Sequence, residues 1–484
     1  MAFLLKGAHV VDPQVGLDGF RDVLIEDDKI AAVSEGMEAP EGAVVIDAHD
    51  KYLIPGLVDM HVHFRDPGFE YKETIATGSA AAVHGGFTDV ATMPNTDPVT
   101  DTGAEIRYQI DRAHAAGLCH VRPIGAMTRG EKGESLAEIG DMVIEGAAAF
   151  SDDGHGVQSA GMMRTCMEYI AQFDRVALAH CEIESLSGHG VINEGRASTR
   201  LGMFGWPALA EELEIYRDIE LVRLTNCPLH ICHISTKKGL DLVRAAKADG
   251  LPVTCEVTPH HLFLNEEDIT DAYDTNLKMN PPLRTPEDAA ALREGVLDGS
   301  IDCVVTDHAP HAPHEKDCEW EISFFGIVGL ETSLPLMLQN LVQTGKMSWA
   351  RLVEVMAVDE ELGVVTIFKH GISSLRLFSC HFVNHDAGRN RRVERFRAAA
   401  HGQSQMVGRR GADGSADALS LAADDQNRPA ARAMRVKILS AEFGSRHGVT
   451  FALHGFQRFG QILRRHHRHA EHTAHRRPKR LRAI

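Results

Sequence analysis

Chemistry first suggests itself at His61-Val62-His63. On an extended strand, residues two apart project to the same side, so both imidazoles can address one ion. One such pair is weak, because a single histidine is more often a hydrogen-bonded structural residue. Recurrence builds the case. Ser151-Asp152-Asp153-Gly154, His180-Cys181-Glu182, His233 and Asp307-His308 each stand at the end of another short apolar run, and each offers a ligand for a first-row metal. Packing does not explain so many histidines and aspartates meeting at one mouth, since burying them unpartnered is costly. Jointly they read as a metal centre. Asp152 and Asp153 compete for one role there, and periodicity does not choose between them. His230 precedes His233 by three residues and should point elsewhere on its strand. His260 and His261 sit in a Pro-His-His context without ligand spacing, and structural roles are expected for both.

These residues need a scaffold that gathers strand ends. Residues 1–50 alternate apolar and polar positions in short runs divided by Gly, Pro and Asp, which predicts a small antiparallel β unit. From residue 51, short apolar runs alternate with helical stretches. The runs are LIPGLVDMHVHF, TDVATMPNT, HVRPIGAMT, GAAAFSDDG, VALAHCE, PLHICHIST, PVTCEVTPHH and DCVVTDHAPH, eight in all. Helices are predicted between them, for example over 71–84, 104–117, 158–172, 236–249, 286–298 and 329–344. Eight such units fit a closed (β/α)8 TIM barrel better than an open sheet, and no glycine-rich dinucleotide fingerprint follows the first strand. The expected fold class is therefore α/β, with a barrel over 51–357 behind the N-terminal unit.

Composition narrows the function classes. The chain has 484 residues, 44% of them hydrophobic and 24% charged, which suits a globular protein built on one large domain with additions. No run is long and apolar enough for a membrane span, and the N-terminus turns polar too early for a secretory signal. The nine cysteines are scattered without a CxxC pair, a usage that suits a reducing cytoplasm. Charge is divided unevenly. Residues 371–484 carry 22 basic and 8 acidic side chains, whereas residues 1–370 carry 28 basic and 60 acidic ones. So acidic a body argues against nucleic acid as its partner. The segment after residue 357 has neither strand alternation nor a long amphipathic helix, apart from a short strand near MRVKIL, and holds runs such as RRHHRH and RRPKRLR. A basic arm for nucleic acid is one reading of it. An extension without fixed structure, or an out-of-frame translation, is the favoured one.

The segments PGLVDMHVHFRDPG, ATMPNT, FSDDG, HCE, CHIST, EVTPHHL, KMNPPLR, VVTDHAPH and FGIVGLET resemble those of class I dihydroorotases in the amidohydrolase superfamily. The resemblance covers roughly residues 1–357. It implies two zinc ions, one held by His61, His63 and Asp307 and one by His180 and His233, with Asp153 shared between them. It also implies a zinc-activated hydroxide that opens a cyclic amide, and reversible interconversion of N-carbamoyl-L-aspartate and dihydroorotate in pyrimidine biosynthesis. Asp307 is the candidate to carry the proton between water and the departing nitrogen. Dihydroorotate bears a carboxylate, so its site needs a cation. Arg65, two residues beyond His63, is placed to supply one through a planar fork. Residues matching Arg65, Asn95, Asn280 and His311, with the backbone at Phe325-Gly326, contact substrate in the related enzymes. A homodimer and association with aspartate transcarbamoylase are the partners that the resemblance suggests.

Two rivals are set against this reading. Dihydropyrimidinases, hydantoinases and allantoinases share the fold but typically bridge their metals with a carboxylated lysine on the fourth strand. GAAAFSDDG has no lysine, and the nearest, Lys132, lies before the preceding helix. A catalytically dead scaffold for aspartate transcarbamoylase tends to have lost its metal histidines, whereas His61, His63, His180 and His233 are all present. The chain departs from the family after RLVEVMAV. There the family has a segment resembling NPA…GL…GxADxxxxD, followed by strands that complete a small β-sandwich with the N-terminal unit. A frameshift or gene-end divergence between Ala357 and Gly371 is the expectation, which leaves residues 1–50 with an exposed apolar face.

Overall fold

The computed structural model describes residues 2–26 and 29–357, together with the backbone of Val383–Asn384, a two-residue strand. The chain divides into two units, Met1–Phe382 and Val383–Ile484. An N-terminal sheet and a barrel make up the described part of the first. Val383–Asn384 apart, the tail over 358–484 and the expectations for it lie outside the described residues.

The N-terminal sheet is built on β1 (Ala2–Asp12), which pairs antiparallel with β2 (Leu17–Glu26), itself antiparallel to β3 (Lys29–Ser34). The other edge of β1 is taken, one after the other, by β4 (Val44–Asp47) and β5 (Lys51–Leu53), both parallel to it. The unit is thus mixed rather than antiparallel throughout. Alternation along a strand reports which face is buried, not which way the neighbour runs. Gly7 marks a register shift in β1. Its φ is +71°, and a Cβ there would lie 2.4 Å from the His49 ring. Phe20, Val33 and Val45 of this sheet are exposed.

Eight parallel strands follow. They are β6 (Leu57–Val62), β7 (Phe87–Thr92), β8 (His120–Pro123), β9 (Phe150–Ser151), β10 (Ala177–Ala179), β13 (Leu229–Ile231), β14 (Val253–Val257) and β15 (Cys303–Val304). Between β10 and β13 a small parallel pair, β11 (Ile192–Asn193) and β12 (Gly205–Trp206), sits in a long connection. β6, β7 and β8 pair in sequence, as do β9, β10, β13, β14 and β15. Single bridges from Gly125 to Phe150 and from Val62 to His308 join the two sets and close the circle. This is the (β/α)8 barrel expected of eight alternating units. Val58, Met60, Ala91, Met93, Ile124, Ala149, Leu178 and Val305 fill its interior, each large aliphatic contributing about 1.5–3 kcal/mol by leaving water.

Local chemistry sets the helices between strands. Pro286–Asp298 shows how: Thr285 caps it, Asp288 returns the capping-box bond, Pro286 takes the first turn, and Gly299 at φ +85° ends it. Ala289, Leu292 and Val296 form its buried stripe. The longest helix among the described residues, Leu209–Thr225, is built differently. Its buried positions include Glu211, Glu214 and Asp218, while Leu209, Leu213, Tyr216 and Leu224 are exposed. The last helix of the barrel, Trp349–Met356, packs on β1, and Trp349 stacks on Tyr52 of β5 at 3.9 Å between ring centroids.

Candidate metal centre

The strands deliver their side chains at C-terminal ends, where barrels of this kind hold reactive groups. His61 lies in β6 and His63 just beyond it. Asp153 follows β9, His180 follows β10, His233 follows β13, and Asp307 follows β15. All six are buried. His233 and Asp307 hold positive φ values of 31° and 46°, which L-residues adopt only when their surroundings impose it.

Ligand atoms of His61, His63 and Asp307 all lie within 4.8 Å of one another, and so do those of Asp153, His180 and His233. His61 Nε2 is 3.4 Å from Asp153 Oδ1 and 3.6 Å from Asp307 Oδ1. His63 Nε2 is 3.0 Å from Asp307 Oδ1 and 3.5 Å from Asp153 Oδ2. His180 Nδ1 and His233 Nε2 both lie 3.6 Å from Asp153 Oδ1. Asp153 therefore faces all four imidazoles. Two other groups, His61–Asp153–Cys232 and His230–Glu256–Cys303, come equally close together, but in the second Glu256 already accepts from His230 and His61.

The outer nitrogens explain which inner ones are free to bind. His61 Nδ1 is 2.6 Å from Glu256 Oε1, His63 Nδ1 is 2.9 Å from Asn95 Oδ1, and His180 Nε2 is 3.2 Å from Glu182 Oε2. An N–H donated outward leaves the inner lone pair pointing at the centre, the usual support for a metal-binding histidine. His61 Nε2 and Asp153 Oδ1 are buried without a hydrogen-bond partner. Burial opposes protonation of His61 and His180. The carboxylates of Asp153, Asp307 and Glu256 nevertheless raise His61 well above its ordinary pKa, and those of Asp153 and Glu182 raise His180 to about 10. The cluster has more negative charge than its own side chains neutralise. A divalent cation would take the place of those protons, so donor set and electrostatics both fit a metal.

The remaining expected residues fall close by. Arg65 is half-buried, and its Nε donates to Pro310 O at 3.3 Å. Burial lowers its pKa, while Asp307 and Asp153 favour its charge. Asn95 Nδ2 donates to Asp153 O and Asn280 Nδ2 to Glu182 Oε2, each at 3.2 Å. Asn280 Oδ1 is buried and unpartnered. His311 Nε2 donates to Phe325 O at 2.7 Å, and a Cβ on Gly326 would meet Ala309 O at 2.4 Å and the His311 ring at 2.8 Å. Burial, and then the Arg65 cation, hold His311 down at about 3.

Geometry separates the two aspartates. Asp152 turns away to accept from Met127 N, Thr128 N and the Thr128 hydroxyl, anchoring the loop after β8. His230 bonds Thr254 and Glu256, and His261 bonds Thr258 and Pro281 O, as structural residues do. His260 makes no such side-chain bond at Nε2, which is buried without a partner. Burial, with His233 and His61 nearby, holds it at about 4. Glu256 is the residue that the sequence did not single out. It sits inside β14, and only its incongruity, an acid on an apolar strand, could have flagged it.

Residues 50–239 match a family model described as dihydro-orotase-like. A dihydroorotase of Geobacter sulfurreducens is 50% identical over 357 residues, which span 74% of this chain and 84% of that one. The chain belongs to the dihydroorotase family. A second dihydroorotase, from Anaeromyxobacter sp., is 49% identical over 73% of this chain and 82% of its own length. Among solved structures, an L-hydantoinase (dihydropyrimidinase) from Arthrobacter aurescens superposes with a TM-score of 0.67 at 26% identity, covering 78% of this chain and 85% of that one. A D-hydantoinase from Thermus sp. gives 0.63 at 25% identity, over 73% and 80%. Family and fold agree on a metal-dependent amidohydrolase acting on a small molecule. Lys132 is exposed, and beyond the end of β9 it is Asp153 that faces the four imidazoles. Among the described residues, no helix is long and apolar enough to cross a membrane.

Proposed function

We propose that the chain interconverts dihydroorotate and N-carbamoyl-L-aspartate, a step of de novo pyrimidine synthesis. The observation that carries this reading is Arg65, a half-buried guanidinium in the field of Asp307 and Asp153. A neutral cyclic ureide has no use for it, whereas the dihydroorotate carboxylate does. Each charged hydrogen bond there is worth about 1.5–3 kcal/mol.

His61, His63 and Asp307 would hold one zinc and His180 and His233 a second, with Asp153 shared by both. Bound metal supplies a Lewis acid for the ring carbonyl and brings the pKa of water at the centre towards about 7. Arg65 orients the substrate through its carboxylate. Asn95, Asn280, His311 and the Phe325-Gly326 backbone fix the ring. Asp307 accepts a proton from the attacking water and returns it to the ring nitrogen as the C–N bond breaks. Glu256, Asn95 and Glu182 keep their histidines in one tautomer throughout.

The test is chelator-sensitive hydrolysis of dihydroorotate by the purified 484-residue protein, with dihydrouracil as comparison. Opening of dihydroorotate alone is expected. Preference for dihydrouracil would instead support a hydantoinase-like cyclic amidase, the second reading, which the solved-structure likeness favours and Asp153 at the end of β9 disfavours. Arg65→Ala should cost dihydroorotate turnover about tenfold or more while metal stays bound. Unchanged kinetics would remove Arg65 from the site. The reading extends to a catalytic barrel over 51–357, a homodimer, association with an aspartate transcarbamoylase and a cytoplasmic location. Sedimentation of the protein alone and with that transcarbamoylase tests the two assemblies.

A further inference from the structure

Two lysines near the mouth make no ion pair among the described residues. Lys278 is 1% exposed. Its ammonium donates to the carbonyls of Trp320, Glu321 and Ser323 at 2.7, 3.1 and 2.7 Å. Lys316, on the short helix Pro313–Lys316, donates to the carbonyls of Phe324 and Gly326 at 2.9 and 3.0 Å, and to that of Lys278 at 3.4 Å. His311 takes the Phe325 carbonyl. From 320 to 326, every carbonyl but that of Ile322 is therefore held by one of three side chains. Gly326 N donates back to Lys278 O at 3.0 Å, and the Phe325 ring lies 4.5 Å beneath the Lys278 ammonium.

Burying a cation without an anion is expensive. Burial draws Lys278 down to about 8, and burial with the Lys278 cation draws Lys316 down to about 7. Against this, an ammonium offers three donors and a neutral amine only two, so three carbonyls favour the charged form. A backbone strip of no consequence could be closed by turns and side-chain hydroxyls at less cost. This strip ends in the Phe325-Gly326 peptide, which His311 ties to the region of Arg65.

We propose that Lys278 and Lys316 are positioning residues, which hold the Phe325-Gly326 peptide in the place where it meets the substrate ring and so set affinity rather than turnover. The inference rests on the dihydroorotase reading, since the role of that peptide does. It makes the strip a part assembled by loops after two different strands, β14 and β15.

Lys316→Met is the decisive variant, because Lys316 is half-buried at the rim and its stem can be kept. Two quantities are read on the metal-loaded protein: steady-state kinetics with dihydroorotate, and amide hydrogen exchange over 320–326. KM should rise about tenfold while kcat changes less than about threefold. Exchange should quicken over 320–326 and stay unchanged around His61 and His63. Lys316→Arg, which keeps the cation, should stay near the wild-type KM, and Lys316→Gln replaces the methionine variant if that one does not fold. Unchanged KM, unchanged exchange, or an equal fall in kcat and metal content would each overturn the inference. A wild-type protein that does not open dihydroorotate would overturn the functional reading instead, and exchange alone then decides the role of the lysines.

Discussion

Two buried polar clusters come together at the turn after β13, and they are closed in opposite ways. At the mouth, Asp153 and Asp307 face four imidazoles, and atoms such as His61 Nε2 and Asp153 Oδ1 are left without partners. Under the helix Leu209–Thr225, the acids face guanidinium groups. Glu211 accepts from Ser235 N, Thr236 N and Arg284, while Arg217 bridges Glu214 and Asp218 at 2.8 Å each. The second cluster brings its own cations, and its task is to pin the turn that follows His233. The first has Arg65 near it, but among the described residues no Arg or Lys bonds Asp153 or Asp307, and its donors fit a metal ion. Burial and carboxylates are common to both; what distinguishes a site from a strut here is whether a guanidinium bonds the carboxylates directly.

The comparison can be broken most forcefully at the mouth. Asp307→Asn should lower kcat for dihydroorotate about 10²–10⁴-fold, and a rate within about threefold of wild type would remove its proton-carrying role. Arg284→Met strikes the other cluster. It leaves Glu211, Asn193 and Trp206 O short of a donor and should cost about 3–5 kcal/mol of stability. Metal per chain at saturation should not change. A thermal midpoint that holds while metal content drops would show that the two clusters are one. The subtlest effect belongs to Glu214, whose Oε2 is unpartnered. Burial first, then the Asp218 carboxylate, raise its pKa from 4.5 to about 8. The folded state thus binds that proton more tightly than the unfolded one. Its stabilising share is complete below about pH 4.5 and is lost as pH rises through about 8. Glu214→Gln cannot ionise. It should gain about 1–3 kcal/mol over wild type at pH 8.5 and converge with it near pH 5, as paired thermal melts would show; parallel melts at both pH values would contradict it.

The mouth cluster was the more legible of the two in sequence. His61 and His63 announce themselves by spacing, and the ends of the apolar runs locate the Asp152-Asp153 pair, His180, His233 and Asp307. Periodicity could not choose between Asp152 and Asp153, and only the family resemblance favoured Asp153, because the choice depends on Thr128, a partner in another loop. Glu256 was hidden for a related reason: its worth lies in His61, far away in the chain. The helix Leu209–Thr225 was not among the stretches singled out. It blurs the pattern that periodicity detects, with Glu211, Glu214 and Asp218 buried beside Ile215, Ile219 and Val222, and Leu209, Leu213 and Leu224 outside. The parallel pairing of β4 and β5 on β1 escaped as well, since strand direction leaves no mark on alternation.

The stack of Trp349 on Tyr52 has an optical consequence. The chain has three tryptophans. Trp206 packs edge-on against Phe325 at 5.8 Å, and Trp320 donates its indole N–H to Val191 O beside the lysine-held strip. Two fluorophores therefore watch the mouth, and the third watches the seam between the N-terminal sheet and the last barrel helix. Emission from Trp349 alone, with the other two replaced by phenylalanine, tells when the sheet peels away. Emission from the pair tells when the barrel's rim loosens, and the order of those two events becomes visible without any label.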